Sequence, residues 1–210
     1  PGHRHHSHVI GAYPYNAITE NDGELYLATR KTIEKKIRNG GANTGWSRAW
    51  AGGVMARLGD GDAVRDLIAS MARSSGLPNL FSCCNLRSVP KLMEDNKPMQ
   101  VDGNLGTVQA VIEMLLQSHT GEIVILPALP KSWGKGSFAG LVARGNVVVD
   151  AIWEGCRLTR ARLEPRVDAE VVIKTEPGYC LVSGPVPILP GNDGRIRAQL
   201  HKGNVYWIEQ

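Results

Sequence analysis

Residues 104–126 read NLGTVQAVIEMLLQSHTGEIVIL, and the hydrophobic period changes inside that stretch. Val108, Val111, Ile112 and Leu115 return every three or four positions, the spacing of one buried helix face, and predict a helix over 104–118. Beyond Gly121 the pattern becomes that of short strands, starting with 122–126. The chain therefore divides into helices first and strands second.

Working back toward the amino terminus, residues 24–38 carry Leu25, Leu27, Ala28, Ile33 and Ile37 at helical spacing. Gly40-Gly41 stops that helix. Thr44 is placed to cap a second helix with Trp46, Ala49, Trp50, Val54 and Leu58 on one face. After the Asp60-Gly61-Asp62 turn, a third helix puts Val64, Leu67, Ile68 and Met71 inward. A turn that short makes the two helices antiparallel neighbours. Residues 76–103, with Pro78, Pro90 and Pro98, read as a long irregular segment of the length that usually carries function.

Working forward, short strands are expected at 141–144, 147–153, 157–163, 171–174, 179–182, 195–200 and 205–209. Gly145-Asn146 gives a hairpin signal between the first two. Regularly spaced short strands describe an antiparallel β-sandwich. The expected division is a helical domain over 1–125 and a β-sandwich domain over 126–210, with Pro127, Pro130 and Lys131-Ser132-Trp133 at the junction.

The 210 residues are 42% hydrophobic and 21% charged, enough apolar content to bury a core. A formal charge of +4 comes from dispersed residues, so nucleic acid is not an expected partner. No run of about 18 apolar residues predicts a membrane span. Cys83, Cys84, Cys156 and Cys180 form no CxxC pair, which argues against structural zinc.

Three segments can carry chemistry. His3-Arg4-His5-His6-Ser7-His8 crowds four imidazoles together. Metal ligation is one reading, but the spacing does not suit tight zinc, and Arg4 repels a cation. Structural hydrogen bonding is a second, and a site for a polar ligand such as a sugar a third, because Arg and His are stiff directional donors. Neither a metal nor a cofactor is expected. Thr44-Gly45-Trp46-Ser47-Arg48-Ala49-Trp50 reads most simply as a capped helix with core tryptophans. In Gln100-Val101-Asp102-Gly103-Asn104, Asp102 is either a helix cap or a carboxylate that orients and deprotonates a water beside favourable amide dipoles.

These three motifs, together with 56–62, Pro78-Asn79-Leu80-Phe81, 113–119, 126–130 and Trp133, resemble the carboxy-terminal part of glycoside hydrolase family 95, the α-L-fucosidases. The resemblance runs in order over about residues 2–165. It implies part of an (α/α)6 barrel followed by a β-sandwich. It also implies inverting hydrolysis of terminal α-linked, typically 1,2-linked, L-fucose, with a fucosylated glycan as partner and an extracellular, secreted parent enzyme. By the same resemblance Asp102 is the general base, and Arg4 and His5 bind the sugar. Asn96, in Asn96-Lys97-Pro98-Met99, stands where the family carries a sugar-binding His. The family's acid glutamate lies upstream of the His-Arg-His motif, so the chain is expected to be incomplete and inactive alone. An α-L-galactosidase specificity and a non-catalytic carbohydrate-binding module are the alternatives.

Overall fold

A computed structural model describes residues 2–84, 99–183 and 186–210. The chain gathers into two compact units, Pro1–Met114 and Leu115–Gln210. Four helices precede nine strands: α1 (Gly23–Arg38), α2 (Gly45–Arg57), α3 (Gly61–Ser75), α4 (Val101–Leu115), then β1 (Leu116–Gln117) to β9 (Tyr206–Glu209).

Helix α2 is the centre of the first unit. Every residue from 47 to 56 is buried, whereas the sequence pattern suggested a single inward face. Small residues make this feasible. A Cβ on Gly53 would lie 2.4 Å from the Tyr13 ring, so the amino-terminal segment rests directly on the helix backbone. Trp50 Nε1 donates to the Tyr13 carbonyl at 3.1 Å. Helix α3 packs on α2 and buries Val64 and Leu67. Its cap is Asp60, whose carboxylate accepts from Ala63 N at 3.0 Å. A buried ion pair joins α2 to α4: Arg57 Nε meets Glu113 Oε2 at 2.8 Å and Nη2 meets Oε1 at 3.0 Å. Arg57 Nη1 also donates to the carbonyls of Ala12 and Tyr15, at 3.2 and 2.9 Å.

Two expected faces are corrected. Helix α1 buries Thr29 and Ile33, while Leu25 and Leu27 are exposed. Helix α4 starts three residues earlier than its periodicity suggests, and Val108 lies on its exposed side; the buried residues are Gly103, Ala110, Glu113 and Met114.

The second unit is a β-sandwich of a four-stranded sheet, order β1-β2-β6-β8, and a five-stranded sheet, order β3-β4-β5-β9-β7. The remaining strands are β2 (Glu122–Ile125), β3 (Lys135–Ala143), β4 (Val147–Glu154), β5 (Arg157–Pro165), β6 (Ala169–Lys174), β7 (Cys180–Val182) and β8 (Arg195–Leu200). One buried cluster is shared by both sheets: Ile123, Ile173 and Ile196 from the first meet Val149, Leu163 and Ile208 from the second. The sandwich is not wholly antiparallel, because β2 pairs with β6 in parallel. The intervening chain builds β3, β4 and β5 of the other sheet, the long crossover that parallel pairing demands. Among the described residues, no helix is long and apolar enough to cross a membrane.

Candidate active site

The amino ends of α2 and α4 meet backbone to backbone. A Cβ on Gly103 would sit 2.8 Å from the Gly45 carbonyl carbon and 2.5 Å from Ser82 Oγ; one on Gly45 would sit 2.8 Å from the same hydroxyl. The glycines of the Thr-Gly-Trp and Asp-Gly-Asn motifs are therefore two sides of one contact. Thr44 caps α2 reciprocally: its Oγ1 accepts from Ser47 N at 3.2 Å, and its own N donates to Ser47 Oγ at 2.9 Å.

The polar side chains around Asp102 are spent on scaffolding. Gln100 Oε1 accepts from Trp46 N at 3.4 Å. Ser82 Oγ donates to the Gln100 carbonyl at 2.7 Å. Asn104 Oδ1 accepts from Ser82 N at 2.7 Å, and its Nδ2 donates to the Leu80 carbonyl at 2.9 Å. Asp102 differs. It lies in the first turn of α4, is exposed, and uses one oxygen to accept from Gly103 N at 2.9 Å. The other oxygen has no partner among the described residues. An unspent carboxylate beside helix amides can hold and deprotonate a water.

The histidine-rich segment divides into an anchor and an exposed strip. His6 is fully buried. Its Nε2 donates to the Ser47 carbonyl at 3.1 Å, and its ring meets Trp50 edge-on, 5.9 Å between centroids. Burial, partly offset by the Ser47 bond, lowers its pKa to about 4, so the ring is neutral at neutral pH. Before this anchor, Arg4 and His5 are exposed. His3 and His5 lie 5.2 Å apart between ring centroids, and the His5 carbonyl accepts from Lys36 Nζ at 2.7 Å. The Arg4 guanidinium has no hydrogen-bond or ion-pair partner among the described residues. Among those residues, no group of three His, Cys, Asp or Glu side chains is placed to hold a metal ion.

Thus the strip bearing Arg4 and His5 is tied to α2 at Ser47, and the Asp102 motif is tied to α2 at Trp46, one residue away. Asn96 lies outside the described residues, as does Glu94. Two further carboxyls are engaged: Glu113 with Arg57, and Glu122 with Arg195 at 2.6 Å. Ser82 and Gln100, which hold the Asp102 motif, were not foreseen as site residues. Nor was Arg48, buried and donating to Ser75 Oγ at 2.7 Å, its pKa lowered by burial. Their roles come from distant partners and leave no local pattern.

Packed helices are followed by a β-sandwich, and both the Asp102 motif and the strip bearing Arg4 and His5 are tied to the first turn of α2. Residues 1–115 match the family model described as glycosyl hydrolase family 95 catalytic domain, and residues 117–208 match that described as glycoside hydrolase family 95, C-terminal domain. The chain belongs to glycoside hydrolase family 95. It is 32% identical over 198 residues to Alpha-L-fucosidase 2 of Arabidopsis thaliana, covering 90% of this chain and 22% of that protein. It is 28% identical over 167 residues to Probable alpha-fucosidase A of Aspergillus niger, covering 72% and 20%. The protein of the same name from Aspergillus oryzae is 28% identical over 199 residues, covering 86% and 26%. The chain thus spans about a fifth to a quarter of the length of these relatives.

Proposed function

We propose that this chain supplies the general base and part of the sugar-binding surface of an inverting α-L-fucosidase. The helical unit would be part of an (α/α)6 barrel, and the substrate a glycan ending in α-linked, typically 1,2-linked, L-fucose. The observation that carries the reading is the exposed carboxylate of Asp102, with one oxygen unpartnered among the described residues, while the polar side chains of Gln100 and Asn104 on either side of it are spent on scaffolding. In this role Asp102 takes a proton from a water as that water attacks the anomeric carbon. Arg4 and His5 donate to sugar hydroxyls.

Inversion also requires a carboxylic acid across the ring, roughly 6.5–9.5 Å from the base, to protonate the departing oxygen. The family resemblance assigns that role to a glutamate upstream of the His-Arg-His motif, outside these 210 residues. The chain alone is accordingly proposed to be inactive.

The test is Asp102→Asn in the protein that carries this chain, assayed on a 2′-fucosylated oligosaccharide. Turnover should fall about 10²–10⁴-fold, the usual worth of a positioned base, with sugar binding largely retained. The wild-type product, followed by NMR, should appear first as the β-anomer. A variant of near-normal rate removes Asp102 from the mechanism; an α-anomer removes inversion. An L-galactosyl substrate run in parallel separates the two sugar specificities.

A further inference from the structure

A groove of about 460 Å³ opens along α1, lined by His8, Lys31, Thr32, Lys35 and Lys36. That volume falls within the range of small-ligand sites. Among the described residues no acidic side chain lines it, and Lys31 and Lys35 have no ion-pair partner there. These two lysines stand one turn apart on the same helix face, where like charges oppose helix formation. Lys35 and Lys36 lie in the last turn of α1, where the helix dipole favours a cation, but Lys31 lies further back along the helix. The positive field reaches its neighbours: His8 is held below its ordinary pKa first by burial and then by the Lys36 charge. The groove also adjoins the sugar-binding strip, because Lys36 Nζ bonds the His5 carbonyl at 2.7 Å.

We infer that the groove is a subsite for an anionic substituent, a sulfate or a carboxylate, on a glycan whose neutral sugar lies against Arg4 and His5. The second half of that statement rests on the glycosidase reading. Lys ammonium groups act as compact, movable point charges, suited to a substituent whose position varies along a sugar chain, and the Thr32 hydroxyl adds a neutral partner. A polynucleotide would require a longer track of cations along its backbone, whereas this groove is local and the remaining basic residues are dispersed.

The experiment compares a neutral 2′-fucosylated oligosaccharide with the same compound carrying a sulfate on a neighbouring sugar. Both are titrated calorimetrically against the protein that carries this chain, and turnover is followed separately. The sulfated compound should bind several-fold more tightly, with an advantage that shrinks as salt rises. Lys31→Ala with Lys35→Ala should erase the advantage while leaving the neutral compound's binding unchanged. Both lysines are exposed, so the fold should tolerate the change; Lys202→Ala, a charge removal in the other unit, should have no effect. Equal binding of the two compounds overturns the inference and leaves the fucosidase reading standing. Preferential binding that the double variant erases upholds the subsite even if neither compound is turned over, in which case it is the fucosidase reading that falls. Inorganic sulfate that binds as tightly as the sulfated sugar overturns the glycan assignment.

Discussion

His6 shows how one buried side chain can set a pH limit. Its pKa is lowered from 6.5 to about 4, first by burial, and a second proton on the ring would place an N–H at Nδ1, which has no partner among the described residues. The unfolded chain takes up that proton below about pH 6.5, whereas the folded chain resists it down to about 4. The unfolded state therefore binds more protons in that window, and stability falls as pH falls through it. The full difference is about 3 kcal/mol. His8, also depressed mainly by burial, acts in the same direction. We predict that His6→Gln reduces the proton uptake on unfolding between pH 6.5 and 4 by about one, as read from denaturant melts at several pH values; an unchanged slope would clear His6 of this role. Arg4 is the opposite kind of residue, exposed and without a partner among the described residues. Arg4→Ala should raise KM in the active protein and leave the melting temperature within the small range typical of surface changes. A large drop in melting temperature with an unchanged KM would make Arg4 structural.

At the scale of elements, helix α2 is held by contacts from residues far away in sequence, the Arg57–Glu113 pair among them. Both side chains are over nine-tenths buried, and Gln109 Nε2 also donates to Glu113, at 3.2 Å. Removing one partner of a buried pair leaves an uncompensated charge, so Glu113→Ala should destabilise the helical unit by about 3–5 kcal/mol. The companion Arg57→Met, Glu113→Leu double variant should cost less than Glu113→Ala alone, since it leaves no buried charge. A chemical melt showing the double variant to be the worse of the two would contradict this account. The partners are 56 residues apart, which is why the pair was illegible in the sequence. What was legible is local. Gly40-Gly41 marked the end of α1, Thr44 marked the start of α2, and β8 appeared where its alternation placed it. The start of α4 was not legible, because it depends on Gln100 being gripped by Ser82 and Trp46. The parallel pairing of β2 with β6 was hidden for the same reason, since register across a crossover has no local signature. Asp102, Arg4 and His5 were legible as candidates through their motifs, but their common attachment to the first turn of α2 came only with the fold.

At the scale of the whole chain, the two units differ in how completely each buries its own apolar surface. The sandwich has a core of its own: the buried cluster runs from Leu116 to Ile208 and draws only on residues of Leu115–Gln210, although Val142, Ile152 and Leu189 are exposed. The helical unit leaves an apolar row exposed. Val101, Leu105 and Val108 are 54, 66 and 60% exposed, and their i, i+4, i+7 spacing lines them along one face of α4. Leu25 and Leu27 are exposed on α1 as well. Contiguous apolar faces of this kind favour association. We predict that the 210-residue chain self-associates when expressed alone, whereas a segment comprising residues 115–210 folds as a monomer with a cooperative thermal transition. Light scattering gives the size of each, and dispersed amide NMR signals report the fold of the segment. Leu105→Glu with Val108→Lys in the full chain should lower the association, because both side chains already face solvent and the new charges cost little in the folded state. A 210-residue chain that stays monomeric as its concentration is raised would show that the α4 face is not adhesive. A segment that associates as strongly as the chain would place the sticky surface on the sandwich instead.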